Sequence, residues 1–148
     1  MTYNKYNNFR TSGGRLDSKL ERYAYNTLCV LEKQSFIFNL KKMVKHVDTI
    51  VLSESFKVKS SKTMTGKSKI RHITYTPDFW FKTQKNTVLP NGVLIEAGKK
   101  CYLEVKSRAT KKIRDYFMRK HLMLKHCVEN DLVFIEVIDN IEWIAYNN

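Results

Sequence analysis

Two short segments gather groups suited to metal-assisted chemistry: Thr76-Pro77-Asp78-Phe79 and Leu103-Glu104-Val105-Lys106. Side chains alternate between the two faces of a strand. Over 101–106 this sends Cys101, Leu103 and Val105 toward a core, and Tyr102, Glu104 and Lys106 to the opposite face. Glu104 and Lys106 then stand side by side, ~7 Å apart at their Cα atoms. Asp78 lies between apolar neighbours, where a carboxylate needs a partner because an unpaired buried charge is costly. If the two strands are neighbours, Asp78 and Glu104 converge with Lys106 beside them. Hard oxygen ligands of this kind suit Mg²⁺ or Mn²⁺. Such an ion lowers the pKa of a bound water and neutralises charge developing on a phosphate. Lys106 can orient the attacking water or stabilise the phosphate oxygens. Glu-x-Lys alone is most often a surface ion pair. A Pro-Asp step, a Glu-x-Lys strand and then a basic helix make a more specific combination.

The charge points to the substrate. The 148 residues carry 27 Lys and Arg against 14 Asp and Glu, a net charge of +13. An excess of that size in one domain attracts a polyanion, with nucleic acid the leading candidate. No stretch approaches the ~20 apolar residues of a membrane span. The start of the chain, MTYNKYNNFRTSGGR, lacks the apolar core of a signal peptide, so a cytoplasmic location without membrane contact is expected. Cys29, Cys101 and Cys127 are too few and too scattered for a disulfide framework or a zinc motif. Each lies in an apolar stretch and reads as a small buried hydrophobe.

The elements that must position these groups follow from periodicity. Residues 1–16 read as a flexible basic arm with Arg10 and Arg15, and residues 17–148 as a single domain. Residues 17–33 have helical period, with Leu20, Ala24, Thr27, Leu28 and Leu31 on one face. Ser18 and Glu21 form a capping-box pattern. Residues 49–59 and 70–81 read as strands, and 60–69 as a polar basic loop. Pro90-Asn91-Gly92 turns a hairpin excursion within 82–100. Residues 101–107 form the next strand. Residues 110–128 return to helical period, with Ile113, Phe117, Leu124 and Val128 marking the core face and Tyr116 and Cys127 beside it. Lys111, Lys112, Arg114, Arg119 and Lys120 crowd the rest and are candidate DNA contacts, as are Arg10 and Arg15. Strands at 132–138 and 141–146 close the chain. Strand–helix–strand over 101–138 implies a parallel pair joined by a crossover. The fold class is α/β, a mixed central β-sheet flanked by helices.

These segments resemble the PD-(D/E)XK nuclease superfamily, whose signature is written in Pro77-Asp78 and Glu104-Val105-Lys106. The closer resemblance is to small phage-encoded nucleases, junction-resolving endonucleases among them. Those have an early helix with a glutamate, a Tyr-Thr-Pro-Asp-Phe strand and a Glu-x-Lys strand. Here Leu20-Glu21, Tyr75-Thr76-Pro77-Asp78-Phe79 and Glu104-Val105-Lys106 stand in that order, across roughly residues 10–128. The resemblance implies a restriction-endonuclease-like core in αβββαβ order. It implies Asp78, Glu104 and the Val105 carbonyl as metal ligands, and Lys106 as the catalytic lysine. Glu21 would reach the metal directly or through water, the alternative being that it only caps its helix. One departure is the long interval from Asp78 to Glu104, which makes Glu96 a competitor, although no lysine follows it two residues on.

The expected activity is Mg²⁺- or Mn²⁺-dependent hydrolysis of DNA phosphodiesters. The phage resemblance implies branched DNA, such as Holliday junctions, as the substrate in recombination. Cutting both strands of a junction calls for two active sites and hence a homodimer. The rivals are a nuclease fold that binds DNA without cutting it, a phage endonuclease that acts elsewhere than at junctions, and a basic RNA-binding protein.

Overall fold

The computed structural model describes residues 9–11, 14–16, 19–62, 66–111 and 114–147. The elements in chain order are β1 (Phe9–Thr11), β2 (Gly14–Leu16), α1 (Lys19–Lys33), β3 (Ile37–Lys42), β4 (Ile50–Ser53), β5 (Phe56–Lys59) and β6 (Lys67–Ile70). They continue with β7 (Ile73–Tyr75), β8 (Phe79–Thr83), β9 (Thr87–Leu89), β10 (Val93–Ile95), β11 (Lys100–Lys106), α2 (Arg108–Lys111), α3 (Arg114–Glu129), β12 (Leu132–Ile138) and β13 (Glu142–Tyr146). The central sheet has the order β13-β12-β11-β8-β3. β11 and β12 are parallel, joined through α3, and the other neighbours are antiparallel. The expected mixed sheet flanked by helices is the observed architecture. Among the described residues no helix is long and apolar enough to cross a membrane.

Alternation along the strands builds two cores. Phe79, Phe81, Leu103, Val105, Ile135 and Val137 pack on one face with Ala24 and Leu28 of α1. On the other face Phe134 packs with Tyr75 and with Met123 and Cys127 of α3. Each large apolar side chain so buried contributes about 1.5–3 kcal/mol relative to exposure. Cys101 and Cys127 are buried free thiols, as their apolar settings suggest.

Several sequence-based expectations are redrawn. β3 lies in a stretch that has no assigned element, and the 49–59 strand divides into β4 and β5. The end of the supposed loop at 60–69 and the first residue of the 70–81 strand form β6, which pairs with β5. The 70–81 strand breaks at residues 76–78, where Pro77 has no amide hydrogen for a ladder bond. Within the supposed arm, β1 and β2 pair antiparallel; residues 1–8 lie outside the described residues, as does the Ser18 cap.

The inward face of α3 also differs. Tyr116, Met123 and Cys127 are buried and Leu124 packs against that core as expected, whereas Phe117 is 65% exposed and Val128 55% exposed. Ile113 lies outside the described residues. The helix is rotated so that Tyr116 and Lys120 reach the buried Glu136 of β12. The need to pair a buried charge outweighs the apolar count on the alternative face.

Candidate active site

The site lies where β3 ends, β8 begins and β11 runs past its neighbour. The β8–β11 ladder reaches Leu103↔Phe79 and stops. Beyond it the Val105 N–H donates to Asp78 Oδ2 at 2.7 Å, so the Asp78 side chain takes up a donor that the shorter strand leaves. Asp78, immediately before β8, is thus held beside Glu104 of the adjacent strand β11. Val105 enters the site through its amide.

Glu104 is buried on the face opposite Leu103 and Val105, and its Oε1 lies 2.9 Å from Lys106 Nζ. The lysine ammonium also sits 5.0 Å from the centroid of the Tyr116 ring. Glu21, buried in the first turn of α1, is 3.0 Å from Lys42 Nζ at the end of β3. Lys42 Nζ is in turn 3.6 Å from Asp78 Oδ1. One lysine therefore ties Glu21 to Asp78. Nothing local in the sequence marks Lys42, since its place depends on β3 pairing with a strand some forty residues away.

The electrostatics are those of crowded acids. Burial pushes the Asp78 carboxyl well above its usual range, and the Glu104 and Glu21 charges push further, against Lys42 and the Val105 amide. Burial also raises Glu104, with Lys106 opposing the rise. For Lys106, burial disfavours the ammonium, but Glu104 and then Asp78 and Glu21 overcome it, and the net shift is upward. The lysine is held as a cation. The Tyr75 phenol is held un-ionised, first by burial and then by the Glu104 charge.

Among the described residues no three His, Cys, Asp or Glu side chains are grouped closely enough to form a ready-made metal cage. The donors nevertheless fit a hard cation. Glu104 Oε2 and the Tyr75 hydroxyl are both buried, and the two groups face each other without a hydrogen bond of full geometry. Mg²⁺ commonly takes one or two carboxylates and keeps water and phosphate for the rest of its shell. Asp78 and Glu104 match that partial set, whereas Glu21 is engaged by Lys42. Glu96, the competing acid, is exposed beside Thr83 and Lys99 at the opposite end of the sheet.

The expected DNA contacts scatter. Arg10 and Arg15 are cross-strand partners in the β1–β2 hairpin. Lys111 ends α2, and Lys112 lies outside the described residues. Arg114 is exposed, and Arg119 is half exposed beside Asp115. Lys120 turns inward instead: it is 2.9 Å from Glu136 Oε1, with 16% of its side chain exposed. Glu136 is the direct strand neighbour of Glu104 and also accepts hydrogen bonds from Tyr116 and Tyr146. The lone acid in LVFIEVI was the sequence signal for this cluster, because a buried carboxylate must recruit donors.

Compared with known protein families, curated proteins and solved structures, the chain matches none.

Proposed function

We propose that the chain is a metal-dependent DNA endonuclease of the PD-(D/E)XK type, working in the cytoplasm. The observation that carries this reading is the hydrogen bond from Val105 to Asp78, which sets that carboxylate against the Glu104–Lys106 pair. Asp78 and Glu104 would hold Mg²⁺ or Mn²⁺, which when bound supplies an acidified water and offsets charge on the scissile phosphate. Lys106 contributes a fixed cation beside that position. Its partners Glu104 and Tyr116 restrain it. Lys42 keeps Glu21 and Asp78 together before the phosphate arrives. The net charge of +13 supplies the attraction for DNA.

Branched DNA is the favoured substrate, by resemblance to phage junction-resolving enzymes, and a homodimer would provide the paired cuts. The rival, a DNA-binding module that does not cut, draws on Lys42, whose ammonium already partners two of the acids. One assay separates them. A synthetic four-way junction and a matched linear duplex are incubated with Mg²⁺ and wild type or Lys106→Ala. Cleavage by wild type and not by the variant is expected. Equal rates on both DNAs would remove only the junction preference. No cleavage of either at stoichiometric protein would overturn the enzyme.

A further inference from the structure

The β5–β6 ribbon is a basic surface built from residues that take no part in the site described above. From Phe56 to His72 the sequence has six Lys and Arg residues and no acid; Glu54 lies at the base. β5 and β6 pair with Lys57 opposite Lys69 and Lys59 opposite Lys67. Alternation puts all four lysines on one face of the ribbon. Phe56, Val58 and Ile70 occupy the other face and are themselves exposed.

This arrangement works against the hairpin's own stability. Like charges directly opposite one another across strands are unfavourable, and an isolated two-stranded ribbon is marginal to begin with. All four lysines are exposed, so no core packing requires them there. A dense array of cations on a projecting ribbon is matched by a polyanion that neutralises both columns at once.

The ribbon's position names the polyanion. β5–β6 continues the β4–β7 pair, and β7 ends three residues before Asp78. Lys69 is nine residues and Lys67 eleven residues from Asp78 in sequence, so these lysines lie at most ~30 and ~36 Å from the site. That is close to one turn of B-DNA (about 34 Å), and a two-stranded ribbon is of a size that the major groove admits.

We infer that the β5–β6 ribbon is a duplex-DNA grip, in which Lys57, Lys59, Lys67 and Lys69 contact backbone phosphates within about one helical turn of the phosphate that would be cut at the Asp78–Glu104 site. The inference rests on the nuclease reading for its choice of DNA. Its test is binding, not cleavage.

Fluorescence anisotropy of a 20-base-pair duplex in EDTA is measured across a salt series. The proteins are wild type, a variant with all four lysines changed to Gln, and a control with Lys33, Lys85, Lys100 and Lys125 changed to Gln. Both variants lose the same charge from exposed positions. The ribbon variant should bind at least tenfold more weakly at low salt. Its salt slope should fall by up to ~3.6, at ~0.9 per phosphate contact. The control should move it by less than one. On duplexes shorter than about ten base pairs, wild type and the ribbon variant should converge. Lys57→Gln with Lys69→Gln gives half the effect with the least risk to folding. A ribbon variant no weaker than the control would overturn the inference, and so would a loss seen on duplex RNA but not on DNA. Ribbon-dependent binding by a protein that cuts no DNA would leave the grip standing and remove the nuclease. Cleavage with ribbon-independent binding would do the reverse.

Discussion

The amide of Val105 donates to the carboxylate of Asp78 at the point where β11 outruns β8. This bond makes Asp78 both a site carboxylate and a structural acceptor, and two substitutions separate the roles. Asp78→Asn keeps an oxygen acceptor for the amide and removes the charge. It should fold as wild type does and show no cleavage. Asp78→Ala leaves the amide without that acceptor and should cost a further ~1–3 kcal/mol of stability. Urea unfolding of the pair, with junction cleavage alongside, checks both. Equal stability of the two variants would show that the bond carries no structural weight.

Glu104 and Lys106 form a pair in which one partner is nearly inaccessible, with 6% of the Glu104 side chain exposed. Lys106→Met leaves that carboxylate without its cation, a change that costs about 3 kcal/mol for a buried pair. The cost should shrink toward pH 5, because Glu104, already raised by burial, can then take up a proton. Adding Glu104→Gln to Lys106→Met should restore most of the stability at pH 8 and none of the activity. Thermal unfolding of both variants at the two pH values tests this, and a cost that does not depend on pH would contradict it.

The parts of this site legible in sequence were those governed by local alternation. Leu103 and Val105 point into one core and Glu104 into the opposite face because a strand has a period of two, whatever pairs with it. The hairpin at Pro90-Asn91-Gly92 was legible for a similar reason: Asn91 and Gly92 both take positive φ there. Lys42 was not legible, because its position depends on β3 lying against β8 across an irregular register. The face of α3 is legible only in part from its apolar spacing: Leu124 and Cys127 turn inward as the period requires, but Glu136 selects Tyr116 and Lys120 over Phe117. Residues 49–75 read as strand, loop and strand because β6, Lys-Ser-Lys-Ile, has little β character of its own and pairs only through β5.

Lys120 illustrates the consequence for DNA binding. Its ammonium is paired with Glu136, whose side chain is fully buried. Lys120→Met should therefore lower stability by about 3 kcal/mol, or roughly 6–12 °C in Tm for a domain of this size. It should leave the salt slope of DNA binding within error of wild type. Arg114→Gln, at an exposed position at the start of α3, should show the opposite pattern if that helix faces the DNA. Calorimetry and anisotropy on the two variants distinguish the roles. A Lys120 variant with native stability and a shallower slope would return that residue to the DNA contacts.

Crowding of the acids also makes a prediction for the metal-free protein. The folded-state pKa of Asp78 is raised, by burial first and then by Glu104 and Glu21. A carboxyl raised on folding binds its proton more tightly in the native state than in the unfolded one. Its favourable contribution is then complete below the unfolded value of ~3.9 and is lost as pH rises through the folded value. Wild type without metal should accordingly gain stability relative to Asp78→Asn as the pH is lowered from 8 to 5. Asp78→Asn should be the more stable of the two at pH 8, because it relieves the repulsion. Adding Mg²⁺ at pH 8 should raise the Tm of wild type and leave that of Asp78→Asn nearly unchanged, since a ligand stabilises only the state that binds it. Lys42→Met sharpens the test. Without the ammonium shared by Glu21 and Asp78, the metal-free protein should be less stable than wild type at pH 8, and the rise in Tm on adding Mg²⁺ should be larger. A smaller rise than in wild type would mean that Lys42 assembles the metal site instead of standing in for its charge.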